Sequence, residues 1–187
     1  MKTLKLMIIA PIAAIFMLNS SANGQSVGLY MTTQDYLNHK VSFGSGGDKI
    51  KINGLFGSAN VALTHEGKKQ TFAKSEVFGY HAGNSDYRFY NNLAYKVLDT
   101  TGFYLYSTEK LVQQGKGPKP ATFYYFSKKA GDQIMPLTPE YIAKEYPQNY
   151  KLKYMVEVAS KTDIDLNTYD KDLNMYKIKE LYTESLK

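Results

Sequence analysis

Short runs of aromatic and β-branched residues recur about every ten residues through the first two thirds of this chain of 187 residues. Turn-forming residues separate the runs: Glu66-Gly67 lies between two of them, and Gly102 directly precedes Phe103-Tyr104-Leu105-Tyr106. Alternation with a period of two is typical of half-buried strands, and turns at this spacing favour an antiparallel sandwich or barrel. No segment between the runs has the pattern of a crossover helix, so a parallel sheet is disfavoured.

Helical patterns replace the strand patterns after residue 137. Thr138 is a suitable N-cap, and Pro139 suits a first helical turn because its missing N–H would have no partner there. A second set of apolar residues recurs at helical spacing and predicts another helix with one apolar face. Its members are Leu152, Met155, Val156 and Ala159.

A third helix is predicted beyond these two. Thr162 and Asp165 resemble a capping box at its start. Its apolar face would be lined first by Leu166, Tyr169, Leu173 and Tyr176, and then, slightly rotated, by Ile178, Leu181 and Tyr182. The sequence therefore predicts an α+β fold. An antiparallel β-rich region over 25–137, sandwich or barrel-like, is followed by C-terminal helices over 138–187 that pack on it.

The first 24 residues have the pattern of a secretory signal peptide. Lys2 and Lys5 precede an apolar stretch at 6–18, and small residues follow it at 20–22. The apolar stretch is shorter than the roughly 20 residues that a spanning helix needs. We therefore expect a signal peptide over 1–24 and a single globular domain over 25–187. The mature chain would be periplasmic or extracellular, without a transmembrane span.

The chain contains no cysteine and no tryptophan. Disulfides, thiolate metal sites and cysteine nucleophiles are therefore excluded. The three histidines, His39, His65 and His81, lack the spacing of a metal-binding pair. No motif for nucleophilic catalysis or for nucleic-acid recognition is present. The sequence accordingly predicts no catalytic residue, no metal site, no cofactor and no nucleic-acid partner, and it does not indicate an enzyme.

Tyrosine is unusually frequent, with 17 residues in the chain. In the run 103–106, Tyr104 and Tyr106 would face one side of a strand, and the run 122–127 contains Tyr124 and Tyr125. Tyrosines on a sheet offer a large contact area with a polar tip, so these four are candidate binding residues. Alternatively, they cover half-buried strands beneath the helices, where tyrosine is common.

Five lysines occur in sequence without an acidic residue between them. They are Lys110, Lys116, Lys119, Lys128 and Lys129. Such a run suits an anionic partner, for example a glycan, although a solvated lysine-rich loop has the same composition. The segment 113–120 contains two glycines and two prolines, and is expected to be a mobile loop.

Several segments resemble an uncharacterised family of small secreted proteins of Gram-negative bacteria. They are Gly28-Leu29-Tyr30-Met31-Thr32, Asp35-Tyr36, Ser75-Glu76-Val77-Phe78-Gly79-Tyr80, Asp86-Tyr87-Arg88-Phe89-Tyr90, Tyr124-Tyr125-Phe126-Ser127 and Pro136-Leu137-Thr138. The resemblance covers most of the chain after the leader. That family has no assigned activity, so the resemblance implies export and a single domain.

These observations favour an exported, non-catalytic envelope or secreted protein. It would act as a module that binds a partner, such as an envelope protein or an anionic glycan, through its aromatic sheet. Two alternatives stay open. A ligand carrier would have a cavity inside a barrel, lined by inward aromatic residues. A hydrolase of cell-wall or glycan material would place two carboxylates about 5–10 Å apart across a cleft.

Overall fold

The computed structural model of the protein describes residues 27–44, 48–52, 58–115 and 117–187. The signal peptide expected over 1–24 lies outside the described residues. The strands are β1 (Gly28–Tyr30), β2 (Lys49–Lys51), β3 (Asn60–His65), β4 (Lys68–Ala73), β5 (Gly79–Ala82), β6 (Ser85–Tyr90), β7 (Leu93–Asp99), β8 (Tyr104–Gln114), β9 (Gly117–Ser127), β10 (Met135–Pro136), β11 (Tyr169–Asp170) and β12 (Met175–Tyr176). The helices are α1 (Thr33–Leu37), α2 (Pro139–Glu145), α3 (Tyr150–Lys161) and α4 (Lys177–Glu184). None of these helices has the length and apolar character to cross a membrane.

A large antiparallel sheet forms the centre of the described structure, in the strand order β1-β5-β6-β7-β8-β9-β10. Strands β5 to β9 are sequential neighbours, whereas β1 pairs with β5 at one edge and β10 with β9 at the other. Strands β2, β3 and β4 form a separate antiparallel sheet, and β11 and β12 form a short hairpin. The predicted α+β class, an antiparallel β-rich region followed by helices, is confirmed.

The C-terminal helices pack on one end of one face of the large sheet. Leu105 and Phe126 are cross-strand neighbours in β8 and β9, and both are fully buried. The buried helical residues of the same core are Ile142, Leu152, Val156, Ala159, Ile178 and Leu181. Isolated helices as short as α3 are marginal in water, so burial of this apolar area stabilises them.

The separate sheet covers the other end of the same face. Val61 and Leu63 of β3 are fully buried, and they form one core with Leu29, Tyr80 and Phe89 of the large sheet. This face of the large sheet therefore carries two apolar cores, one beneath the helices and one beneath the three-stranded sheet.

The opposite face of the large sheet is rich in tyrosine. The buried apolar residues on this side of the sheet come from its strands, from α1 and from the segment after β9. They are Tyr30, Tyr36, Tyr95, Tyr106, Tyr125, Ala130 and Ile134. The ring of Tyr36, on α1, lies 5.3 Å from that of Tyr30 and 5.1 Å from that of Phe78. Thr32 and Asp35 form a capping box at the start of α1, with each side chain accepting the backbone N–H of the other. The capping box fixes the start and the direction of α1, which lies over this face.

Several local predictions are confirmed. Glu66 and Gly67 have φ values of 49° and 76°, which suit a two-residue hairpin turn, and they join β3 to β4. Thr138 accepts the N–H of Tyr141 as the N-cap of α2. Leu152 is one of the buried residues along α3, as the helical spacing predicts.

The first part of the predicted third helix is wrong, whereas its continuation is confirmed, because Ile178, Leu181 and Tyr182 lie on α4. Thr162 is the C-cap of α3 rather than the N-cap of a new helix, and Asp163 and Asn174 have positive φ, which an α-helix excludes. The hairpin of β11 and β12 occupies the middle of this segment, and α4 begins only at Lys177. Leu166 is nevertheless buried in the core beneath the helices, and its carbonyl accepts the N–H of Ile178 at the start of α4.

The segment 113–120, expected as a loop, belongs mostly to strands. Strands β8 and β9 pair continuously from Tyr104 opposite Ser127 to Gln114 opposite Gly117. Within the described ranges, β7 pairs with β8 no further than Ser107, and β10 pairs with β9 at 125–126. The outer half of this hairpin is therefore a two-stranded ribbon that extends past the sheet.

Candidate functional site

The four candidate tyrosines do not share one surface. Tyr104, Tyr106 and Tyr125 lie on the tyrosine-rich face, and Tyr124 lies on the opposite face of β9. Tyr106 is fully buried and Tyr125 is 8% exposed, whereas Tyr104 and Tyr124 are half-buried. Lys110 Nζ donates to the hydroxyl of Tyr125 at 2.6 Å, so one of the five lysines meets this group. A binding role for these tyrosines stays a prediction.

Two of the three histidines contact carboxylates. His65 Nδ1 is 2.9 Å from Asp48, and His81 Nδ1 is 2.7 Å from Asp86. His39 follows α1 with a φ of 51°. In the part of the chain that the structure describes, no group of three or more His, Asp or Glu side chains could hold a metal ion.

A cleft of about 670 Å³ opens beside α1, where the segment 74–78 crosses from the three-stranded sheet to the large one. The segment is fixed by two backbone hydrogen bonds. Phe78 N–H donates to the Met31 carbonyl at 3.3 Å, and Phe89 N–H donates to the Phe78 carbonyl at 2.8 Å. The lining consists of Met31, Thr32, Thr33, Gly131 and the segments 74–78 and 88–92.

A glycine brings β5 unusually close to β6 at this position. A Cβ atom added to Gly79 would lie 2.0 Å from the carbonyl oxygen of Tyr87, which no side chain tolerates. Gly79 is the cross-strand partner of Arg88. Arg88 therefore has no side chain opposite it on β5, and aromatic rings flank its guanidinium group instead.

Arg88 is a buried cation in the lining of the cleft, with 5% of its surface exposed. Its guanidinium carbon lies 5.5 Å from the centroid of the Phe78 ring and 5.6 Å from that of Tyr90. Nη1 donates to the hydroxyl of Tyr106 over a long 3.4 Å, and Nε is buried without a hydrogen-bond partner among the described residues. No described carboxylate forms an ion pair with Arg88.

A directional chain of hydrogen bonds orients the hydroxyl that Arg88 meets. Ser127 Oγ donates its proton to the carbonyl of Lys129 at 2.7 Å. Tyr106 must then donate to Ser127 Oγ, 3.0 Å away, and its own oxygen is left to accept from Arg88. Burial raises the pKa of Tyr106, so this hydroxyl stays protonated and gives Arg88 no negative charge.

Lys74 is the second buried cation of the lining, with 3% of its surface exposed. Its Nζ donates to the carbonyl of Asn92 at 2.8 Å and lies 5.5 Å from the centroid of the Phe89 ring. Burial lowers the pKa of Lys74. As with Arg88, no described carboxylate pairs with this ammonium group.

The lining of the cleft therefore combines two buried cations, neither of which forms an ion pair with a described carboxylate. Burying an ion without a partner costs several kcal/mol, so buried charges in proteins are normally paired or bound to a ligand. Glu76 is the one carboxylate of this lining, and it is exposed, without an ion pair to Arg88 or Lys74. The arrangement can attract and hold a negatively charged group.

Sequence reasoning missed both cations. Arg88 lies in the aromatic run 86–90, where alternation places it on the side of Tyr90, but its burial depends on layers that are distant in sequence. Lys74 precedes a serine and a glutamate, a composition typical of an exposed turn. The available signal was the single arginine of the chain inside an otherwise aromatic strand.

The chain matches no protein-family model, no curated protein and no solved structure. The interpretation of the cleft therefore depends on its geometry and its charge.

Proposed function

We propose that this chain is an exported, non-catalytic protein that binds a small anionic ligand in the cleft beside α1. The observation that carries this proposal is Arg88, a buried residue in the lining of an open cleft that has no carboxylate partner among the described residues. Guanidinium groups stay protonated in proteins and present a planar set of donors that suits carboxylate and phosphate oxygens. The ligand accordingly carries a carboxylate or phosphate group.

The balance of energies supports a binding role for Arg88 over a structural one. Two cation–π contacts contribute about 0.5–2 kcal/mol each, and the 3.4 Å bond to Tyr106 adds little. Desolvation of the unpaired charge costs several kcal/mol, which these contacts do not offset fully. An apolar side chain would serve the fold better, so the retained charge favours a ligand.

The lining also supports binding over glycan hydrolysis. Hydrolysis by paired carboxylates needs two acids about 5–10 Å apart, and Glu76 is the one acid of the described lining. The other polar side chains of the lining are hydroxyl, amide and cationic groups, among them Thr33, Ser75 and Asn91. Such groups orient an anion through hydrogen bonds and charge.

Export rests on the leader pattern at 1–24 and on the resemblance to small secreted proteins of Gram-negative bacteria. We expect N-terminal sequencing of the protein from a cell-envelope or culture-medium fraction to begin near Gln25. A chain from that fraction that still starts at Met1 would contradict the signal peptide, and a chain confined to the cytoplasm would contradict export.

The binding proposal is tested by thermal unfolding with sodium phosphate, acetate or succinate, each against potassium chloride at equal ionic strength. We expect at least one of these anions to raise the midpoint of the native protein and of Lys96→Met, in which an exposed lysine of the same sheet is changed. Arg88→Met should lose this response.

Without added anion, Arg88→Met should have a free energy of unfolding about 1 kcal/mol or more above that of the native protein. The substitution removes an unpaired buried charge, and Tyr106 keeps its hydrogen bond to Ser127.

Two results would contradict anion binding by Arg88. One is an equal response of the native protein and Arg88→Met to every anion. The other is a marked destabilisation of Arg88→Met in plain buffer, which would show that the guanidinium group is a structural element of the fold.

A further inference from the structure

The cleft has a second cation, Lys74, which a site for a single acidic group would not need. Arg88 belongs to β6 and is flanked by aromatic rings, whereas Lys74 follows β4 and is held by the turn between β6 and β7 through the carbonyl of Asn92. Different elements therefore position the two charges. A single acidic group on Arg88 would leave the ammonium of Lys74 without counter-charge.

The size and the walls of the cleft point to an organic molecule. Clefts of about 300–1,000 Å³ accommodate drug-sized ligands, and this one has about 670 Å³, far more than one phosphate ion fills. Apolar side chains take part in the lining, among them Met31, Val77 and Phe78. These walls suit a carbon skeleton between charged ends.

We propose that the ligand is an organic dianion, in which two carboxylate or phosphate groups are joined by a carbon skeleton. One acidic group binds Arg88 and the other binds Lys74, while the skeleton packs on the apolar wall. This inference rests on the proposed anion-binding function and adds the number of charges that the ligand carries.

Burial of Lys74 supports this assignment. The residue is 3% exposed, and the single hydrogen bond of its ammonium group among the described residues leaves two N–H donors for a ligand. Burial also lowers its pKa, as expected for a cation that lacks an opposite charge. The exposed Glu76 is the competing source of negative charge, because it lies in the same lining.

The test compares dicarboxylates with monocarboxylates of equal chain length by isothermal titration calorimetry on the full mature chain. The pairs are succinate and butyrate, glutarate and valerate, and adipate and hexanoate, with 3-phosphoglycerate and glycerate as a phosphate-bearing pair. We expect at least one dianion to bind about tenfold or more tightly than its matched monoanion.

Two variants assign the second charge. Lys74→Met should bring the affinities of the dianion and the monoanion together, whereas Lys96→Met should keep them apart. Glu76→Gln should tighten dianion binding, because it removes a like charge from the cleft. Far-ultraviolet circular dichroism confirms that each variant is folded, and Lys74→Gln replaces Lys74→Met if that variant is not.

The outcomes separate the two proposals. Equal affinities within every pair, together with loss of binding in Arg88→Met, would overturn the dianion and leave the anion site intact. A dianion preference that survives in Lys74→Met would overturn the role of Lys74. No binding of any of these anions would overturn both proposals.

Discussion

Raising the pH from about 9 to about 11 is expected to unfold the protein cooperatively. The reason is a set of tyrosines whose pKa is raised by burial. Burial raises the pKa of Tyr95 to about 12, and it raises the pKa of Tyr30, Tyr36, Tyr80 and Tyr146 further. Tyrosine in an unfolded chain loses its proton near pH 10, whereas these side chains keep theirs in the fold.

The sign follows from proton binding in the two states. Above about pH 10 the folded protein holds protons that the unfolded chain has lost, so the free energy of unfolding falls as the pH rises. At about pH 11, the raised pKa of one such tyrosine lowers the free energy of unfolding by about 1.4 kcal/mol, and five together lower it by about 7 kcal/mol. That is a large share of the roughly 5–15 kcal/mol that stabilises a typical domain.

Lys179 should make the free energy of unfolding rise with pH in a lower pH range. Burial lowers its pKa to about 8, and Asp99, 3.5 Å away, offsets part of this effect. Its Nζ also donates to the carbonyls of Thr101 and Phe103. The unfolded chain keeps this proton up to about pH 10.4, so the free energy of unfolding should rise from about pH 8 to about pH 9, before the tyrosines reverse the trend.

Urea unfolding at several pH values, followed by circular dichroism, measures both slopes. Lys179→Met should reduce the rise, to which Lys74 also contributes, and keep the alkaline fall. Tyrosinate absorbance should appear together with the loss of structure. Absorbance that develops fully while the protein is still folded would show that these tyrosines ionise in place.

Leu152→Ala is expected to lower the free energy of unfolding by about 2–5 kcal/mol. Leu152 is fully buried in the core that joins the helices to β8 and β9, and truncation would leave a cavity there. Tyr154→Ala is the matched control, because Tyr154 lies two residues further along α3 and is 69% exposed. Its effect should stay within about 0.5 kcal/mol.

The shift in urea midpoint measures both variants at neutral pH. A midpoint in Leu152→Ala equal to that of the native protein would show that the helices are a separable tail that does not stabilise the sheet. A large loss of unfolding free energy in Tyr154→Ala would show instead that the outer surface of α3 is covered.

The sequence predicted those features of the fold that depend on neighbouring residues. The turn at Glu66-Gly67 and the cap at Thr138 involve backbone preferences that act over a few positions, and both were found. The first part of the third helix was wrong because residues at helical spacing, such as Leu166 and Tyr176, are equally able to reach a core from a turn and a hairpin. Positive φ at Asp163 and Asn174 decides between these arrangements, and apolar spacing does not encode it.

The cleft depends on contacts that sequence patterns do not contain. Arg88 is buried because Phe78, which is itself covered by Tyr36 of α1, packs over the face of β6 on which the guanidinium group lies. Lys74 joins it only because the segment 74–78 crosses between sheets. Neither arrangement follows from the alternation of residues along β6.

The ribbon of β8 and β9 has a consequence for solubility. Leu137 N–H donates to the Tyr124 carbonyl, so the backbone groups of Tyr124 face away from β8. Because this orientation repeats every second residue, Pro118 and Pro120 face the same open edge. Proline has no N–H, so this edge lacks the donors that an added strand requires. The ribbon can therefore project into solvent while its β9 edge resists the edge-to-edge pairing that starts aggregation.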